Sequence, residues 1–301
     1  MKLTRRNILS LLGSSPLLSL PAFANAGTAK RVLRIAYLTD IHLPPLDEVN
    51  KRAAKAFELA KNCDLILFGG DNLMAIDHKS EEQIQAHYKN WTEFTSKNLK
   101  RPFRSILGNH DIEQWNTQDP TFASGKARPV EFFNMKNRYW EEKMAGWRLI
   151  GLDTVHRNGD GFMGFVDPEQ IEWLKGVLAD KTTPTLVCGH MPLLSVTALA
   201  DSGLKPKDNT LPISFASEVS NAREVVSLFR AAGNVKLCLS GHTHMIDRCD
   251  YGGTSYICAG AVCGAWWNGA NQGFAPEFTQ VDLMSDGSFV TKTIFWEQIV
   301  R

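Results

Sequence analysis

Residues 32–42 read VLRIAYLTDIH, an apolar run from Val32 to Leu38 that closes on Thr39-Asp40, with His42 two positions further on. Such a run reads as a strand, and it delivers Asp40 and His42 at its mouth. Asp47-Glu48 then open a helical stretch with apolar residues at 49, 53, 56, 57 and 60, the spacing of one helix face. Leu65–Phe68 is a second short apolar strand, and it ends on Gly69-Gly70-Asp71. The unit recurs. Ser80 with Gln83 forms a capping-box pattern for a helix to about Lys97, and the strand Phe103–Leu107 delivers Gly108-Asn109-His110-Asp111. Asp167-Pro168 caps a helix with apolar positions 171, 174, 177 and 178, before the strand Thr185–Cys188 ends on Gly189-His190. A helix over Ala222–Arg230 precedes the strand Val235–Leu239, which leads into Gly241-His242-Thr243-His244.

Between and after these units the pattern changes. Residues 111–137 are irregular and polar, and a strand pair is expected at 139–143 and 147–153. Residues 191–217 carry Pro192, Pro206 and Pro212 and read as a long functional loop. Hairpin-like β segments follow at 245–259, 278–284 and 288–296. Strand–helix units early and β pairing late predict an α/β fold, a four-layer sandwich of two mixed β-sheets flanked by helices. In such sheets functional groups gather at the carboxyl ends of strands, and all five polar clusters fall there.

The chain has 301 residues and 44% hydrophobic content, enough for one large core or two modest ones. No apolar run is long enough to cross a bilayer. The formal charge of +1 includes Lys2, Arg5 and Arg6 in a first segment without acids; the remainder has 30 bases against 32 acids. A near-neutral body predicts no nucleic-acid partner and no attraction to anionic membrane. Residues 1–26 read as an export signal. Thr4-Arg5-Arg6-Asn7-Ile8-Leu9 resembles the twin-arginine motif, a mildly apolar stretch runs to Leu20, and Ala24-Asn25-Ala26 is a small-x-small cleavage pattern. The expectation is a soluble periplasmic protein, residues 27–301, carried by the twin-arginine translocation machinery and without a stable membrane anchor, since no Cys stands directly after the cleavage point. Of the six Cys, 188 and 238 sit in strand-like runs, whereas 249, 258 and 263 surround a hairpin at Gly252-Gly253, where one disulfide could form. None has C-x-x-C spacing, so thiolate zinc chemistry is not indicated.

Five of the eight His fall in the clusters; His78, His87 and His156 do not, and read as ordinary surface or core groups. Two cations about 3.5–4 Å apart need a bridging anion, and Asp71, delivered from a Gly-flanked strand end, is the candidate. Asp40 and His42, at i and i+2, can meet one ion where the chain turns. Asn109 offers a neutral amide oxygen that keeps the ions Lewis-acidic. His190, His242 and His244 complete two sites rich in nitrogen and oxygen, suited to Mn, Fe or Zn.

The ordered pattern D-x-H, G-D, G-N-H-D, G-H, G-H-x-H, spanning about 40–244, resembles the signature of the calcineurin-like metallophosphoesterase family. The resemblance implies a metallophosphoesterase fold and two-metal hydrolysis of a small-molecule phosphoester, monoester or diester. It places Asp40, His42, Asp71 and His244 on one ion and Asp71, Asn109, His190 and His242 on the other. It further implies a metal-bound hydroxide nucleophile, with His110 beside the leaving-group oxygen as stabiliser or proton donor. Asp111 either orients His110 or holds the turn.

Departures narrow the branch. Purple acid phosphatases carry a Tyr three residues after the bridging Asp, and phosphoprotein phosphatases an Asp-Arg-Gly there with a Glu after G-N-H. Here Met74-Ala75-Ile76 and Asp111 stand instead, which leaves a bacterial phosphodiesterase-type branch and no evident support for His110. The segment Gly260–Gly269 resembles a Gly/Trp loop of some bacterial metallophosphoesterases. Its Trp266 and Trp267 either wall the pocket over an organic leaving group or pack as a turn between core strands. Two alternatives stay open: a pyrophosphate-bond hydrolase acting on a nucleotide or lipid-linked substrate, and a metal-binding protein without catalysis. A non-ligand His110 argues against the second.

Overall fold

The computed structural model describes residues 29–113, 121–200, 208–209 and 212–297; the expected export signal lies outside them. One sheet is ordered β13-β12-β1-β2-β3 and the other β10-β11-β9-β8-β5-β4. In the first, β1 (Arg31–Leu38), β2 (Leu65–Phe68) and β3 (Phe103–Ser105) run parallel, while β12 (Glu277–Met284) lies antiparallel beside β1 and β13 (Phe289–Phe295) antiparallel beside β12. In the second, β5 (Trp147–Gly151), β8 (Thr185–Cys188), β9 (Val235–Ser240) and β11 (Thr254–Cys258) are parallel, with β4 (Trp140–Met144) and β10 (Asp247–Tyr251) as antiparallel edges. Both sheets are mixed.

The period of two along each strand builds the layers. Ile35 and Tyr37 of β1 join Leu149, Leu186, Leu237 and Leu239 in a core between the sheets. Their neighbours Ala36, Leu38, Ile66 and Phe68 face the other way, onto α1 (Asp47–Ala60) and α2 (Glu81–Asn98) through Ala53, Phe57, Trp91 and Phe94. On the far side Ile150, Val187 and Cys238 meet α4 (Pro168–Val177) and α5 (Ala222–Ala232). The result is helix, sheet, sheet, helix, the expected sandwich.

Helix starts follow the local chemistry. Ser80 Oγ accepts from the Gln83 amide while the Gln83 side chain accepts from the Ser80 amide, and the Asp167 carboxylate accepts from the Gln170 amide with Pro168 in the first turn. The segment read as irregular contains α3 (Ala127–Phe132), and the strand expected to reach residue 153 stops at Gly151. Beyond it, β6 (Val155–Asn158) and β7 (Gly161–Gly164) form a separate hairpin. All six Cys are free thiols. The anticipated disulfide among Cys249, Cys258 and Cys263 is absent; register separates the first two, with Cys249 opposite Tyr256 and Cys258 opposite Asp247.

Candidate metal centre

The carboxyl ends of β1, β2 and β3 from one sheet and of β8 and β9 from the other converge on one point. His42 N donates to Asp71 O at 2.9 Å, Asp40 N to Gly70 O at 3.0 Å, and Gly241 N to His190 O at 2.9 Å. These bonds tie the loops together before any side chain is considered. The sheets also touch through Asp40, whose Oδ2 accepts from Thr39 Oγ1 at 2.7 Å and from the His242 amide at 2.9 Å. Its Oδ1 is buried without a partner and faces His244 Nε2 at 3.3 Å.

Asp71 divides its carboxylate in the same way. Oδ1 accepts from the His110 amide at 2.8 Å. Oδ2 lies between two imidazoles, 3.5 Å from His42 Nε2 and 3.2 Å from His190 Nε2. Asp71 therefore stands where it would be shared between two metal ions, one on the His42 side and one on the His190 side. His42 Nε2 is 3.1 Å from His244 Nε2, and Asn109 Oδ1 is 3.2 Å from His190 Nε2. Three imidazoles are oriented by backbone carbonyls: His190 Nδ1 by Gly69 O at 2.9 Å, His244 Nδ1 by Gly264 O at 2.7 Å, and His242 Nε2 by Ala216 O at 2.7 Å. Donating one ring N–H outward leaves the other nitrogen as a lone-pair ligand, the usual support for a metal-binding His.

Three groups of donors at this centre could hold a metal ion: Asp40, His42 and Asp71; Asp71, His190 and the half-buried His242; and His42, His244 and Cys263. The orphaned Asp40 Oδ1 and the doubly faced Asp71 Oδ2 fit a pair of cations sharing Asp71. The electrostatics agree. Burial opposes the charge on Asp40 and Asp71, but the imidazoles of His244 and His190 outweigh it and hold both carboxyls below their usual range. Burial pushes His42 down to about 3 and His242 down to about 4, which keeps both as neutral donors. Burial also opposes charge on His190, yet Asp71 and Asp40 raise it to about 9; Asp40 likewise raises His244. Two carboxylates in a buried site draw positive charge to themselves.

All seven anticipated ligands thus come together, and His110 stands beside them without joining the donor groups. Its ring centroid is 5.3 Å from that of His42. The support missing at Met74 comes from Asp77, whose Oδ1 accepts from His110 Nδ1 at 2.9 Å. Asp77 sits on the 3₁₀ turn Ile76–His78, and sequence reading passed over it because only folding brings it under His110. Burial opposes the charge on His110, but Asp71 and Asp77 together raise its pKa. Asp111 holds the turn: its carboxylate accepts from the amides of Asn72, Leu73 and Gly108 at 2.9, 3.0 and 3.1 Å. The adjacent tryptophans separate, with Trp267 buried and Trp266 at the rim of a cavity of about 310 Å³ that also touches Asp71, Asn109, His110 and His242. His156 lies in a separate buried network with Lys126, Asp153 and Asp167, His87 is buried on α2, and His78 is exposed beside Asp77.

The sequence profile of the Calcineurin-like phosphoesterase family matches residues 33–245. A probable cyclic nucleotide phosphodiesterase of Synechococcus sp. is 27% identical over 223 residues, covering 70% of this chain and 73% of that protein. A manganese-dependent ADP-ribose/CDP-alcohol diphosphatase of Arabidopsis thaliana is 32% identical over 97 residues, covering 31% of this chain and 26% of that protein. A dimetal phosphatase from Danio rerio superimposes with a TM-score of 0.60 at 14% identity, covering 89% of this chain and 98% of that one, a likeness of fold.

Proposed function

Because the chain belongs to the calcineurin-like phosphoesterase family, a family of metal-dependent hydrolases, we propose that it cleaves small organic phosphodiesters at a two-metal centre built from the seven converging ligands. Asp40, His42, Asp71 and His244 hold one ion in this reading; Asp71, Asn109, His190 and His242 hold the other. The observation that carries it is the placement of Asp71 Oδ2 between His42 and His190, with His110 set apart from the donor groups. When bound, such a pair of ions activates water at neutral pH and neutralises phosphoryl oxygens. Manganese, iron and zinc all suit the donor set, and manganese has support from the named dependence of the Arabidopsis relative.

The protein's own contribution is positional. His110, fixed through Nδ1 by Asp77, lines the cavity and in this reading passes a proton from its second ring nitrogen to the departing alkoxide. Asp111 fixes the turn that carries both Asn109 and His110. Diester chemistry is favoured by the phosphodiesterase relative and by a cavity wall that is partly aromatic.

Metal-free protein reloaded with Mn, Fe or Zn should turn over a bis-aryl phosphate faster than the mono-aryl phosphate. Absence of turnover with either would sink the reading. His110→Ala should lower kcat while metal content stays near two per chain. Cleavage of a pyrophosphate-linked nucleotide is the second reading, supported by the diphosphatase relative; its preference over both aryl esters in the same assay would put it first. Export through the twin-arginine route is part of the proposal and rests on residues 1–26. Arg5→Lys/Arg6→Lys should abolish periplasmic accumulation, and undiminished periplasmic protein would refute it.

A further inference from the structure

Trp266 and Trp267 occupy consecutive left-handed positions, with φ of 53° and 70°, a conformation that bulky L-residues avoid and that persists where surrounding structure enforces it. The enforcement is visible on Trp267, which is 7% exposed. Its indole N–H donates to His42 O at 2.9 Å, and the Arg52 guanidinium lies 5.4 Å from its ring and donates to its carbonyl at 2.7 Å. With Trp267 anchored inward, the turn thrusts Trp266 the other way. Its ring lies 4.0 Å from that of His42, with its edge relation to His110 at 5.3 Å, and the residue remains 41% exposed. The same ring lies 5.6 Å from that of His244, and its exposed part lines the cavity.

Position decides what the free face of Trp266 can meet. A leaving-group oxygen beside His110 puts whatever it carries alongside this indole. Across the cavity Phe162, on β7, stands edge-on to His242 at 5.8 Å, so the space of about 310 Å³ is bounded by aromatic walls. Ser217 and Gln272 line the same space with a hydroxyl and a carboxamide, suited to the polar edge of a base or sugar. From this we infer that Trp266 is a specificity residue that stacks a flat aromatic moiety on the ester arm beside His110. The enzyme therefore favours nucleoside phosphodiesters over those of glycerol and other alkyl alcohols. The inference rests on the phosphodiesterase reading above and adds the substrate class to it.

The test compares the methyl phosphodiesters of adenosine and of glycerol, which share phosphodiester chemistry and alkoxide leaving groups, on the metal-loaded enzyme. Wild type should prefer the adenosine ester in kcat/KM. Trp266→Ala should shrink that preference by about 5- to 150-fold, the worth of one base–aromatic stack, and Trp266→Phe should restore most of it. Binding of adenosine monophosphate and glycerol phosphate, measured by calorimetry, should show the same narrowing of the Kd ratio. An unchanged ratio in Trp266→Ala overturns the inference, as does an equal fall for both esters with loss of metal, which would make Trp266 a prop for His42. Equal turnover of both esters by wild type overturns stacking alone. Turnover of neither overturns the phosphodiesterase reading with it.

Discussion

Removing the carboxylate of Asp77 should slow the reaction without disturbing the metal centre. Asp77 is buried, and its two oxygens are engaged separately: Oδ1 with His110 Nδ1 at 2.9 Å and Oδ2 with the exposed His78 at 3.1 Å. The His78 contact is a surface pair worth little. The His110 contact is a hydrogen bond to a charged group in a largely buried setting, worth about 1.5–3 kcal/mol. If all of that orients His110 for proton donation, Asp77→Ala should lower kcat by about 10- to 150-fold with little change in KM. Asp77→Asn, which keeps an acceptor of the same shape, should lose less. A cycle with His110→Ala gives the decisive measurement. Once His110 is gone, Asp77→Ala should cost almost nothing more in kcat, because residues that act as a unit are not additive. Metal content should stay near two per chain in every variant. Additive losses, or release of metal from Asp77→Ala, would refute the positioning argument.

Asp71→Asn should weaken both metal sites together, since Asp71 is the residue common to two of the donor groups; elemental analysis showing loss of a single ion would contradict the bridge. Lys126 is buried with Nζ 2.9 and 2.7 Å from the Asp153 oxygens, while Arg138 reaches the same carboxylate at 2.9 Å. Lys126→Met breaks a buried pair and should cost about 3–5 kcal/mol in urea denaturation, and unchanged stability would refute that assignment. Glu277 is fully buried beside the Gly260 backbone, with no well-formed hydrogen bond to either oxygen among the described residues, and burial pushes its carboxyl up to about 8. The folded protein thus holds this proton where the unfolded chain releases it. The associated stability is full below the usual glutamate value and is lost as pH rises through about 8. Glu277→Gln should therefore gain on wild type by on the order of 1–4 kcal/mol between pH 5 and pH 8; parallel pH–stability curves would refute it.

The sandwich was legible because its signals are local. Apolar runs of strand length, the Ser80–Gln83 box and the Asp167-Pro168 cap each act over a few residues and mark where elements start and stop. The β6–β7 hairpin was not legible, since Val155–Asn158 and Gly161–Gly164 have neither a sustained apolar run nor clean alternation. They are held by partners far along the chain, as where Gly164 N donates to Phe215 O at 2.6 Å. The convergence of the candidate ligands was legible because each lies just beyond the end of a strand and so inherits that strand's position. Asp77 was not, because its partner His110 lies 33 residues away on another strand end, and no spacing rule links the two. The same holds for Lys126 and Asp153, 27 residues apart, whose pairing arises from tertiary packing.

The Gly residues beside the ligands acquire a specific meaning from the backbone. Asp40, His42, Asp71, His242 and His244 all have φ between 44° and 73°, in the left-handed region where a side chain carries a steric cost. Glycine would relieve that cost, but these positions must carry donors, so the strain stays at the ligands. The glycines serve as clearance next to them. A Cβ on Gly108 would overlap the Asp71 carboxylate, and one on Gly241 would overlap Thr39 and Asp40. Tight left-handed turns are what let Asp40 and His42, or His242 and His244, reach one centre from positions two apart. Close glycine approaches are what let loops from two sheets enter the same few ångströms. The G-D, G-N-H-D and G-H-x-H strings are thus a single packing solution, in which strained donors are possible only because their neighbours have no side chain.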